Sequence, residues 1–134
     1  MDFRKRLDVL QVSPKAPHDI VTEADVAVEQ FINENIRRQF PDHAVFGEES
    51  GHTQGNEYRW VIDPIDGTMS FLHGQPFFSI SIALEHKSDV ILGAVYQPAM
   101  NDLFEAAKDQ PATLNGKEIH VAQRNDLDSC VVAT

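Results

Sequence analysis

Residues 60–71 read WVIDPIDGTMSF, an apolar run that stops on two aspartates three residues apart. A proline follows the first aspartate and a glycine follows the second. Pro64 locks its own φ, so the segment YRWVI (58–62) is expected to be a strand that delivers Asp63 to a tight turn, with Asp66 held in the same turn. The turn also aims the Ile65 carbonyl outward. Gly67 lets the backbone approach a ligand closely. TMSFL (68–72) reads as a helical turn whose opening amides, Gly67 and Thr68, form an anion site. On spacing alone, D-P-x-D-G reads first as an ordinary type I turn between strands, ahead of a metal site. The chemical reading therefore depends on what else stands nearby.

The rest of the chain predicts one helix and many strands. SPKAPHD (13–19) has two prolines and reads as a loop. Thr22 is a good N-cap, and Glu23 and Asp25 suit the first turn of the helix after it. Ala24, Val28, Phe31, Ile32, Ile36 and Phe40 recur at helical spacing as one apolar stripe, which Pro41 ends. AVFG (44–47) is a short strand running into Glu48 and Glu49, and HTQGNE (52–57) is a polar loop. FFSISIALEH (77–86) and DVILGAVYQP (89–98) read as hairpin partners, followed by DLFEAA (102–107), EIHVA (118–122) and SCVVAT (129–134) as further strands. One helix followed by strands predicts an α+β fold with a largely antiparallel sheet, and not a doubly wound series.

Glu48, Glu49, Asp63 and Asp66 all stand at strand ends, so their carboxylates can converge on one rim. Like charges that close raise each other's pKa unless a cation sits between them. Mg²⁺ suits such a rim, because it takes oxygen ligands and fills the remaining places with water and substrate phosphate. The 12-residue spacing of an EF-hand is absent. Metal-holding carboxylates beside an anion-binding turn are the parts of a metal-assisted phosphatase. The net charge of −10, from 11 Lys/Arg against 21 Asp/Glu, argues against nucleic acid as a partner but not against a small phosphorylated substrate. The six histidines show no ligand spacing, and Ser79 and Ser81 lack a nucleophile setting. The lone Cys130, in an apolar run, reads as a small core residue and suits a reducing compartment. No apolar stretch approaches the ~20 residues of a membrane span, and the start has no signal-peptide core. A cytoplasmic protein that does not engage membranes is expected.

WVIDPIDGTMSF closely resembles the D-P-x-D-G-T-x-x-F signature of the inositol monophosphatase family. DIVTEAD (19–25) and GEES (47–50) resemble that family's D-x-V-T-x-x-D and G-E-E-S segments, in the same order. GAVYQPAMNDLFEAA (93–107) and LNGKEIHVA (114–122) resemble the strands and turn that come next in family members. The resemblance implies a layered α/β sandwich of the sugar-phosphatase type and Mg²⁺-dependent hydrolysis of a phosphomonoester, with inositol 1-phosphate foremost. Fructose-1,6-bisphosphatase, histidinol phosphatase and 3′(2′),5′-bisphosphate nucleotidase share these motifs and remain alternatives, as does a truncated, non-catalytic metal-binding module. By resemblance, Glu48, Asp63 and the Ile65 carbonyl hold one Mg²⁺, and Asp63 and Asp66 help hold a second. Thr68 with Glu48 activates water, Asp25 hydrogen-bonds Thr68, and the Gly67 and Thr68 amides take the phosphate. Glu49 is expected to support the metal site or bind a further ion weakly, and Lys15 is similar in place to a family lysine near the metals.

Three departures accompany the match. The family's W-D-x-A-A-G motif, whose aspartate completes the second metal site, is absent; the sole tryptophan is Trp60. Most of the family's first helix is missing, and Ser70 stands where asparagine is common. Residues 1–134 are thus expected to be the N-terminal metal- and phosphate-binding part of a longer enzyme, a homodimer when full length.

Overall fold

The computed structural model describes residues 3, 5, 7, 10–16, 19–123 and 128. A short hairpin, β1 (Val12–Ala16) and β2 (Asp19–Thr22), leads into the long helix α1 (Glu23–Gln39). Then come β3 (Ala44–Gly47), β4 (Gly51–Thr53), β5 (Tyr58–Asp66) and a single helical turn, α2 (Thr68–Leu72). The chain continues through β6 (Ser79–His86), β7 (Asp89–Gln97), β8 (Asp102–Ala107), β9 (Thr113–Leu114) and β10 (Lys117–Glu118). Strands β3 to β10 form one sheet in the order β10-β9-β8-β7-β6-β5-β3-β4. Every neighbouring pair is antiparallel except β3 and β5, which are parallel. The sheet is therefore mixed, though mostly antiparallel, within the α+β class.

Helix α1 starts where its sequence directs. The Thr22 hydroxyl accepts the N–H groups of Ala24 at 3.1 Å and of Asp25 at 3.4 Å, and the Asp25 carboxylate accepts the N–H of Thr22 at 2.9 Å, so that Thr22 and Asp25 close a capping box. The helix lies against β5, and Ile36 packs with Val45 and Ile62 in one core cluster. A second cluster joins Leu10, Ala24, Ile65, Phe71 and Phe78, with Phe71 and Phe78 edge to face at 5.1 Å. The two clusters bracket the end of β5 and so fix where its carboxylates emerge.

Several local expectations are corrected. The first four residues of SPKAPHD are not a loop: Ser13–Ala16 pair with β2, and Pro14 is tolerated because the two-stranded sheet leaves each strand an unpaired edge. His52 and Thr53 belong to β4 and not to a loop; the Thr53 hydroxyl accepts the Val45 N–H at 3.0 Å. Only the first residue of EIHVA, Glu118, lies in a strand, the two-residue β10, while Ile119 to Ala122 lie outside it. SCVVAT, Cys130 included, and the Lys15 side chain lie outside the described residues. The apolar stripe of α1 is also revised. Phe31 is 68% exposed, whereas the inward face carries Asp25, Glu29 and Asn33 together with Ala24 and Ile36. Among the described residues no helix is long and apolar enough to cross a membrane.

Candidate active site

The D-P-I-D segment is not a turn. It is the last part of β5, and the pairing with β6 steps from Asp63↔Ser81 to Asp66↔Ser79, so three residues advance on one strand against two on the other. That extra residue is a β-bulge. Pro64, fully buried, is placed where a missing N–H does least harm to the ladder. In a regular strand, residues three apart face opposite sides of the sheet. The bulge brings Asp66 back toward Asp63, close enough for its charge to act on the Asp63 carboxyl.

Asp63 carries the main electrostatic tension. Its pKa is raised from 3.8 to about 7, first by burial, then by the charge of Glu48 and a hydrogen bond with Glu48, and then by the charge of Asp66. One of its oxygens, Oδ1, is buried without a hydrogen-bond partner. Glu48 reaches this place from the turn after β3, whose Gly47 pairs with Ile62 beside Asp63. Glu48 and Asp63 line an open trough of about 750 Å³, floored by Phe46, Val61, Ala83, Val95 and Phe104. Asp66 and Gly67 line an adjoining cavity of about 350 Å³ that shares Val95 and Phe104 with the trough.

Below the acidic rim lies a hydrogen-bonded support. Thr68 Oγ1 stands 3.2 Å from Asp25 Oδ1 and 3.1 Å from the Ile65 carbonyl, and shares its one proton between them. Asp25 is 2% exposed, and its Oδ2 accepts from both the N–H and the hydroxyl of Thr22. Gly67 precedes α2 with φ +89, in the left-handed region that glycine enters freely. A Cβ there would also lie 2.8 Å from the Phe77 carbonyl oxygen, so conformation and space both require glycine.

The structure thus brings Glu48 and Asp66 within electrostatic reach of Asp63, Glu48 and Asp63 lining the trough and Asp66 the adjoining cavity, and it bonds Thr68 to Asp25. The Ile65 carbonyl is engaged by Thr68, which leaves it a second lone pair. Glu49 enters through its backbone: its N–H donates to Glu29. Glu29 is the residue that sequence reasoning missed. It is 1% exposed, and its signal in the sequence was its place four residues after Asp25 on a helix face assigned to apolar side chains. Among the described residues no histidine takes part in the rim. His43 instead stacks between Phe40 and Tyr58 and accepts from Trp60 Nε1 at 3.1 Å.

The donors are all oxygens, which suits a hard cation. Among the described residues no group of three or more Asp, Glu, His or Cys side chains is arranged to hold a metal ion. Mg²⁺ does not need one, since it keeps several places for water and phosphate oxygens. The unpartnered Asp63 oxygen and the mutual repulsion of the carboxylates are what a cation would relieve. The residues present fit such an ion.

Comparison with known proteins agrees with the geometry. The chain is 40% identical over 134 residues to Nus factor SuhB of Pseudomonas aeruginosa, covering 97% of this chain and 49% of that protein. It is 39% identical over 127 residues to inositol-1-monophosphatase of Rhizobium meliloti, covering 93% and 48%. Among solved structures it superposes on the extragenic suppressor protein suhB of Bartonella henselae with a TM-score of 0.88, at 36% identity, covering 90% of this chain and 48% of that one. The chain spans about half the length of the curated relatives it matches. Residues 2–134 match the inositol monophosphatase family, and with the fold and the acidic rim in accord, the chain belongs to that family.

Proposed function

We propose that this chain supplies the metal- and phosphate-binding half of a Mg²⁺-dependent phosphomonoesterase of the cytoplasm, acting on a small phosphorylated alcohol. Inositol 1-phosphate is the favoured substrate, because a relative bears the name inositol-1-monophosphatase. The observation that carries the reading is the pairing of the Glu48–Asp63–Asp66 rim with the Thr68–Asp25 hydrogen bond beside it. Glu48, Asp63, Asp66 and the Ile65 carbonyl would hold Mg²⁺. When bound, the ion neutralises phosphoryl charge and lowers the pKa of water.

The chain's own residues do the rest. Asp25, anchored by Thr22, draws the Thr68 proton inward, so the Thr68 hydroxyl offers a lone pair outward. A water approaching from the rim can then only donate to it, which orients that water's oxygen for attack. Glu48 would accept the proton the water gives up, and the ester oxygen would leave, protonated, as the free alcohol. The Gly67 and Thr68 amides at the start of α2 would hold phosphate oxygens. The longer protein is proposed to be a homodimer and not to use nucleic acid as a substrate.

The test is phosphate release from inositol 1-phosphate by the 134-residue chain with Mg²⁺, with Asp66→Asn as control. Release that the substitution abolishes supports the reading. No release from the chain, together with none from a longer version, ends it. A second reading is a metal-binding module that turns nothing over, motivated by relatives named Nus factor SuhB and by the half-length match. Mg²⁺ binding without turnover would favour it.

A further inference from the structure

Buried carboxylates are costly unless several donors meet them. Glu29 is such a group, and the site chemistry above does not use it. Its Oε2 accepts the N–H of Glu49 at 2.8 Å, and its Oε1 accepts the N–H of Ser50 at 2.8 Å. Gly47 lies against the same carboxylate: a Cβ there would sit 2.7 Å from Oε2 and closer still to Oε1. The glycine is needed for that close approach, since its φ is ordinary. One turn further along α1, Asn33 Nδ2 donates to Ser50 Oγ at 3.3 Å. One turn earlier, Asp25 holds Thr68. Asp25, Glu29 and Asn33 recur every four residues and share one helix face. A single rigid helix therefore grips both the 48–50 turn and the start of α2.

We infer that Glu29 is a positioning residue for the cation site: by clamping the two amides after Glu48 it fixes where the Glu48 carboxylate meets Asp63, and so sets divalent-ion affinity without touching the ion. The inference rests on the metal reading of the rim. Neither neighbouring residue type fills the role. Glutamine keeps the volume but turns an NH₂ toward one of the two N–H donors, and aspartate is a methylene too short.

The experiment is a Mn²⁺ titration by electron paramagnetic resonance on the 134-residue chain, with Mn²⁺ alone as probe, alongside amide hydrogen exchange. Glu29→Gln is compared with Glu34→Gln, a change on the exposed face of the same helix. Glu29→Gln is expected to weaken Mn²⁺ binding by ~10–100-fold and to speed exchange at the Glu49 and Ser50 amides, while β5 and β6 stay protected. Glu34→Gln is expected to change neither. Wild-type Mn²⁺ affinity in folded Glu29→Gln would overturn the inference, since a merely structural role lowers stability and leaves affinity alone. If the wild-type chain itself bound no Mn²⁺, the metal reading would fall, and the clamp would then be judged on exchange alone, with unchanged rates refuting it. Should Glu29→Gln not fold, Gly47→Ala, whose methyl displaces the same carboxylate, is read by the same criteria.

Discussion

Replacing Asp63 by asparagine should make the metal-free protein more stable at pH 8, which is the reverse of what most buried-site substitutions do. Burial and the Glu48 and Asp66 charges raise the Asp63 pKa from 3.8 to about 7 in the folded chain. The folded state therefore binds this proton more tightly than the unfolded state. The resulting stability is fully present below pH 3.8 and is lost as pH rises through about 7. The gap corresponds to ~4 kcal/mol at 1.36 kcal/mol per unit, and screening at this half-open position brings it to ~2 kcal/mol. Asparagine carries no charge to repel Glu48 or Asp66, so Asp63→Asn should gain ~2 kcal/mol over wild type at pH 8 and nothing below pH 4. Urea denaturation with a chelator present, at half-unit steps from pH 4 to 8, measures this directly. Parallel stability curves for the two proteins, or a less stable variant at pH 8, would refute the reasoning.

Substitutions at three further positions test the support beneath the rim. Thr68→Val removes the donor to Asp25 Oδ1 and should lower stability by ~1–3 kcal/mol in chemical denaturation, with Thr68→Ser recovering most of the loss. Gly67→Ala sets a Cβ 2.8 Å from the Phe77 carbonyl at φ +89 and should cost ~1–3 kcal/mol, seen as a lower thermal midpoint. Thr22→Ala deletes the α1 cap and the hydroxyl that donates to Asp25; a loss of ~1–2 kcal/mol is expected, with reduced helical signal in far-ultraviolet circular dichroism on heating.

The sequence is legible where the local chemistry is strong. Thr22 as a cap, Pro41 as a stop and the hairpin pairing of FFSISIALEH with DVILGAVYQP all correspond to elements of the fold. The acidic rim is also visible, because Glu48 follows the apolar strand β3 and Asp63 and Asp66 close the apolar run of β5. What cannot be read locally depends on partners distant in sequence. D-P-I-D has the composition of a turn, and only its pairing with Ser79 and Ser81 makes it a bulge. Apolar periodicity puts Phe31 inward, yet that face of α1 is taken up by groups that serve other segments: Glu29 accepts from Glu49 and Ser50, twenty and twenty-one residues away. A count of apolar residues cannot register a buried acceptor whose donors lie in another loop. Asp25 shows the same limit. It reads as a helix-start charge, and its bond to Thr68, 43 residues on, is expected only through the family resemblance.

The central claim is that the Glu48–Asp63–Asp66 rim is a divalent-cation site. The most direct test is the unfolding midpoint of the 134-residue chain at about pH 7.5, with and without Mg²⁺, beside Asp66→Asn. Specific binding to the folded state should raise the wild-type midpoint in proportion to the logarithm of Mg²⁺ concentration, and Asp66→Asn should remove most of that rise. A midpoint that Mg²⁺ leaves unmoved, or a rise of equal size in both proteins, would contradict it.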